Sequence, residues 1–142
     1  MNGNTELLNF IYQNSQMGVD TLQQIEEICT DDALKSQLQE QYNNYAAIHE
    51  KARVLLNKNG FDEKGLSSLE KIRTYLTICI QTITDRSPSH LAEMLIIGST
   101  MGTIDAIKKL RDYSNAEQEI RNLMDSLLEF EKDNIEKLKQ YL

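Results

Sequence analysis

Two histidines and two cysteines stand among the carboxylates of this chain, and spacing decides what each can do. His90 and Glu93 lie three apart in SPSHLAEM, on one helical face, where they suit a metal or an acid–base pair as well as an ordinary helix start. His49 falls on an apolar stripe, where an imidazole is either a ligand or a core side chain hydrogen-bonded across the interior. Tyr42 and Tyr45 suit a radical relay beside a metal, though inward aromatics more often pack. Met17, Met94, Met101 and Met124 read as core filler. Cys29 and Cys79 occur singly at apolar helical positions and read as buried thiols in a reducing compartment. There is no G-x-S-x-G elbow, no glycine-rich phosphate loop and no evident histidine partner for either thiol, so no catalytic residue is assigned.

Length and charge narrow the classes. The 142 residues carry 15 Lys plus Arg against 22 Asp plus Glu, a net charge of -7. That balance repels phosphate backbones and anionic lipid and argues against nucleic-acid or membrane-surface partners. The opening MNGNTELLNF lacks a basic, then apolar, leader, and no apolar run approaches the ~20 residues of a membrane span. A single domain over 1–142 in the cytoplasm is expected.

The elements that must position these groups are helices. Helix A is predicted from about Thr5 to Cys29, with Leu7, Leu8, Ile11, Gly18, Leu22, Ile25 and Cys29 at helical spacing. Thr30, followed by two aspartates, is the predicted cap of helix B, whose stripe is Leu38, Tyr42, Tyr45, His49, Ala52 and Leu56 up to Asn59-Gly60. After the GFDEKG turn, a connector helix opens at the box Ser67-x-x-Glu70 and carries Ile72, Leu76, Cys79, Ile80 and Ile83 toward Thr84. Ser87-Pro88 starts helix C, with Leu91, Leu95, Gly98, Gly102, Ile107 and Leu110. A second box, Ser114-x-x-Glu117, is the predicted start of helix D, with Ile120, Leu123, Leu127, Phe130, Asn134, Leu138 and Tyr141 on one side. Short turns make A/B and C/D antiparallel hairpins. A connector of about 17 residues, about 25 Å long, lets B and C run parallel.

The two halves echo each other. Met17-Gly18 in NSQMG and Met101-Gly102 in GSTMG lie 84 residues apart. An offset of 85 aligns Leu38 with Leu123, Tyr45 with Phe130 and His49 with Asn134, while 86 does better toward the carboxyl end. With these repeats, and the closing EKDNIEKLKQYL, the chain resembles the ferritin-like superfamily, particularly the short rubrerythrin-related and spore-coat-type bundles. The resemblance implies an all-α, ferritin-like four-helix bundle of two hairpins with an extra helix in the B-to-C crossover.

It also implies where a di-iron centre would sit. Such a centre takes about four carboxylates and two imidazoles. The helix A carboxylate position falls on Ser15, or Gln16 one residue on, and that of helix C on Ser99, or Thr100. The E-x-x-H of helix B reads Ala46-x-x-His49, and that of helix D reads Glu131-x-x-Asn134. Two ligands of six survive. The expectation is therefore a non-enzymatic bundle without resident cofactor, a structural or interaction module, in which Gly18 and Gly102 either let A and C approach closely or line a small cavity. Self-association as a homodimer is expected from the broadly apolar connector helix. The alternative is an iron-handling protein or oxidase with an atypical site around His49 and Glu131, and a third reading is a carrier of a small apolar ligand.

Overall fold

The computed structural model describes residues 3–60 and 69–142. Among them five helices form and no strand: α1 Asn4–Ile28, α2 Asp32–Lys58, α3 Glu70–Gln81, α4 Pro88–Asp112 and α5 Gln118–Lys139. The all-α expectation is met, and none of these helices is long and apolar enough to cross a membrane.

Local chemistry sets the helix ends. Asp31, not Thr30, caps α2, its carboxylate accepting from the Leu34 N–H at 2.8 Å. The side chain of Thr30 lies one residue too early to reach that donor. Ser87 caps α4 as its sequence indicates, accepting from the His90 N–H with Pro88 in the first turn. Gly60 takes the left-handed conformation, φ 73°, just beyond α2. The Ser114 box does not form: α5 begins after Glu117, with no side-chain cap. Its entry is held from another helix instead, since the Asn4 Oδ1 accepts from the Glu117 N–H at 2.9 Å. Arg121 closes the preceding helix, donating to the Leu110 and Tyr113 carbonyls that α4 leaves without intrahelical partners. The GFDEKG turn and Ser67 lie outside the described residues.

Contacts between named residues give the helix directions. Asn4 meets the start of α5, and Asn14, midway along α1, meets Glu131, midway along α5, so α1 and α5 run the same way. Gly3 lies against Tyr113 at the end of α4 and Gly102 lies against Asn14, so α1 and α4 run oppositely. Along α2, Glu40 pairs with Lys137 at 3.3 Å while the later Tyr45 meets the earlier Glu131, which makes α2 antiparallel to α5. It follows that α2 and α4 are parallel, and the link between them travels along the bundle. Its helix, α3, has 12 residues and covers about 18 Å, shorter than the sequence suggests. Ile72 and Leu76 are its buried residues, and Ile78 is 54% exposed.

The core runs the length of the bundle. Leu7, Leu8, Phe10, Ile11 and Ile25 of α1 pack with Leu34, Leu38, Ala52 and Leu56 of α2, Leu91 and Met94 of α4, and Ile120, Met124, Leu127 and Leu138 of α5. Each full burial of such a side chain contributes about 1.5–3 kcal/mol relative to exposure. On α5 the inward face is rotated by about one residue from the predicted stripe: Met124, Leu128 and Glu131 are buried where Leu123 and Phe130 were expected, and those two are half-buried.

The two capping sites make a direct comparison. Asp31→Ala is expected to destabilise the fold by about 0.5–2 kcal/mol in urea unfolding, whereas Ser114→Ala leaves the midpoint unchanged, because only the first side chain holds a helix N–H.

Candidate functional site

Polar side chains gather where the four long helices face one another at mid-length. The sequence delivers them by periodicity: residues 120, 124, 127, 131, 134 and 138 are all buried on α5, a continuous inward stripe at alternating four- and three-residue steps in which Glu131 and Asn134 replace hydrophobic residues. On α1 the steps 7, 11, 14 and 18 carry Asn14 and Gly18 to the same level, and on α2 the steps 34, 38, 41 and 45 carry Gln41 and Tyr45.

Glu131 is the centre of this cluster and only 2% exposed. The Asn14 Nδ2 donates to its Oε1 at 3.0 Å, and the Tyr45 hydroxyl donates to its Oε2 at 3.0 Å. One carboxylate thus joins α1, α2 and α5. Burial pushes its pKa up from 4.5 to about 7, against the lowering effect of the hydrogen bonds from Tyr45 and Asn14. The Tyr45 hydroxyl is held well above its ordinary 10.0, first by burial and then by the carboxylate charge beside it, so the phenol stays a donor. Ser99 and Asn134 lie close enough to that hydroxyl to favour its ionised form slightly. The amide nitrogens of the buried Gln41 and Asn134 have no hydrogen-bond partner among the described residues.

Of the two uses expected for the Met-Gly turns, Gly18 has the second, lining a small cavity, and both glycines also seat a side chain. A methyl group on Gly18 would lie 2.7 Å from the Tyr45 ring, and one on Gly102 would lie 3.1 Å from the Glu131 Oε2 and 3.2 Å from the Asn14 Nδ2. The glycines make room for the central side chains of α2 and α5, not for a close approach of α1 to α4. Each hairpin repeats one relation, a glycine on the first helix receiving a polar side chain from the second. That relation pairs Tyr45 with Glu131, 86 residues apart, so the register between α2 and α5 is 86 at this level, not 85.

This register redistributes the six expected ligand positions. Ser99, Glu131 and Asn134 come together around Tyr45. Ser15 is buried, but its hydroxyl turns back to the Ile11 and Tyr12 carbonyls at 2.7 and 3.1 Å. Ala46 is half-buried, and His49 stacks on Tyr12 with ring centroids 4.3 Å apart. The cross-bundle bonds to Glu131 come from Tyr45 and Asn14, not from His49. Of the alternative positions, Gln16 bonds Asp20 in an exposed pair, and the exposed Thr100 bonds the Ile96 carbonyl. His90, half-buried, and Glu93, exposed, lie 3.9 Å apart at the start of α4. Cys29 is buried and Cys79 half-buried.

Tyr45 stands on the predicted stripe of helix B, and Asn14 and Gln41 are the further site residues that spacing alone would find, by extending each inward stripe through its polar positions. Reading outward from the Met-Gly phrase led to Ser15 instead.

Two hard cations need several anionic oxygens and fixed nitrogens. Here the donors are one carboxylate, amides, a phenol and a serine, and among the described residues no three His, Cys, Asp or Glu side chains converge. These residues do not fit a di-iron centre. The cavity beside them, lined by Asn14, Gly18, Gln41, Tyr45, Ser99 and Glu131, measures about 30 Å³, a volume for about one water molecule and far below that of an apolar ligand. No protein-family model, curated protein or solved structure matches this chain.

Two outcomes follow from this geometry. Gly18→Ala should destabilise by about 1–3 kcal/mol, overpacking against the Tyr45 ring outweighing the helix-propensity gain, whereas Gly98→Ala, which meets only the mobile end of Leu76 at 3.1 Å, should be nearly neutral. For Glu131 the folded pKa is raised, so the folded state binds the proton more tightly between pH 4.5 and about 7. Its contribution is complete below 4.5 and is lost as pH rises through about 7. Glu131→Gln should therefore remove a fall in stability across that window, measured as ΔG of unfolding against pH, and a slope identical to wild type would contradict the assignment.

Proposed function

We propose that the protein is a non-enzymatic, ferritin-like helical bundle whose centre holds no di-iron site, and that it serves in the cytoplasm as a structural or interaction module that associates with a second copy of itself. The observation that carries this reading is the mutual satisfaction of Glu131, Tyr45 and Asn14 at mid-bundle. A di-metal centre needs several charged ligands together, whereas the groups that meet this carboxylate are a neutral amide and a phenol, each donating a hydrogen bond to one of its oxygens. The glycines that seat these side chains leave space for about one water molecule. Two antiparallel hairpins joined by a helical crossover, with α2 and α4 parallel, are the arrangement that ferritin-like bundles share, and this supports the family reading.

Among the described residues no three His, Cys, Asp or Glu side chains converge, which favours a binding role over catalysis. Acid–base work requires a titrating group within reach of a substrate, and Glu131, the group pushed toward neutral pH, is buried behind its donors. The more exposed His90 and Glu93 lie at the start of α4, 3.9 Å apart.

Anaerobic reconstitution with ferrous iron tests the proposal. The expected result is no stoichiometric iron after desalting, no oxo-bridged absorbance on admitting air, and no rise in Tm with ferrous, manganous or zinc ions, since only a ligand that binds the folded state raises stability. Two irons per chain with turnover of dioxygen would overturn it and restore the oxidase alternative.

A further inference from the structure

The outward face of α4 carries a pattern that the core does not explain. The helix buries Leu91, Leu95, Gly98, Gly102 and Ala106, yet on the opposite face Ile97 is 39% and Ile104 49% exposed. At 100° per residue, Glu93, Ile97, Thr100, Ile104, Lys108 and Arg111 fall within one quarter or so of the helix circumference. Among the described residues, nothing buries this stripe.

The order of residues along it is self-complementary. The midpoint lies between Thr100 and Met101, and Ile97 and Ile104 are equidistant from it. So are Glu93 and Lys108, one acidic at the amino end and one basic at the carboxyl end, and both are exposed. Arg111 extends the basic end. A helix with this arrangement complements an antiparallel copy of itself: each Ile97 meets the partner's Ile104, each Glu93 meets the partner's Lys108, and Thr100 approaches its own equivalent at the two-fold axis. A parallel copy would place like charges together at both ends and is disfavoured.

We propose that the chain forms a two-fold dimer through the outward stripe of α4, with Ile97 and Ile104 as its apolar centre and Glu93 and Lys108 as its two symmetric ion pairs. This rests on the self-association in the reading above and names its surface. Charge order selects a second copy over other occupants, because the complement that this stripe requires is present in the stripe itself. The patch is narrow, so the dimer is a weak one, populated at high concentration and sensitive to salt. The Glu131 cluster, on the far side of α4, is not part of the contact.

Sedimentation equilibrium of the full chain, over a range of concentrations and at low salt, reads the association constant. Glu93→Lys and Lys108→Glu should each weaken it about tenfold, since each reversal converts two symmetric attractions into repulsions, and the double exchange should restore it. Thr100→Cys should give a disulfide-linked dimer on mild oxidation well above the background of wild type, whose Cys29 is buried and whose Cys79 is half-buried. Far-UV circular dichroism checks that each variant folds. A dimer indifferent to both reversals and to the Thr100→Cys linkage would overturn this surface while leaving self-association standing. A monomer at every concentration would overturn both.

Discussion

A carboxylate withdrawn from water is the constraint around which this bundle is organised. Glu131 sits among four helices, where an unsatisfied charge would cost several kcal/mol. Its two hydrogen bonds arrive from different helices, so they are satisfied together only when α1, α2 and α5 are in one longitudinal alignment. Sliding any of the three by a turn, about 5.4 Å, would remove a donor from a buried acceptor. Leucine and isoleucine layers tolerate such slips far better, since any apolar side chain can meet another. The polar layer therefore specifies register, while the surrounding hydrophobic core supplies most of the stability.

The glycines belong to the same device. A helix interior loses about 1 kcal/mol for glycine in place of alanine, and the bundle carries that cost at Gly18 and Gly102. At both positions the space is filled by a side chain from the next helix of the hairpin, a tyrosine ring in one half and a carboxylate in the other. The repeat is thus geometrical before it is chemical. The halves keep the socket and exchange what fills it, so that the phenol of one half becomes the hydrogen-bond donor to the carboxylate of the other.

How far the sequence foretells this depends on which physical signal is read. Helix number, most of the inward residues, the Ser87-Pro88 start and the left-handed Gly60 follow from periodicity and end chemistry, which are local. Thr30 and Ser114 were legible as caps but are not used, because neighbouring residues and a tertiary bond from Asn4 compete for the same donors. The register between halves is ambiguous by one residue in the sequence: the apolar stripe favours 85, whereas the identities beyond Asn134 favour 86, the spacing that Tyr45 and Glu131 show. What resolves it is the pairing of each glycine with its guest, a contact between helices that no single-helix pattern contains. Asn14 is hard to single out for a related reason: a neutral amide gives no charge signal, although its place on the stripe of Leu7, Ile11 and Gly18 is plain.

The same physics separates the two faces of α4. Toward the core it offers glycine, so that Glu131 and Leu76 can come close. Away from the core it offers isoleucine, where solvation alone would favour polar residues. Scattered exposed apolar residues are ordinary on a protein surface. Two isoleucines seven residues apart, bracketed by opposite charges at equal distances, form an ordered pattern, and while the helix dipole accounts for acid before base it gives no reason for exposed isoleucines between them. The inner face of α4 makes room, at Gly102, for the buried carboxylate whose hydrogen bonds align α1, α2 and α5. The outer face has the weaker means of exposed charge and a narrow apolar seam, which suits association that responds to concentration and ionic strength rather than a permanent assembly.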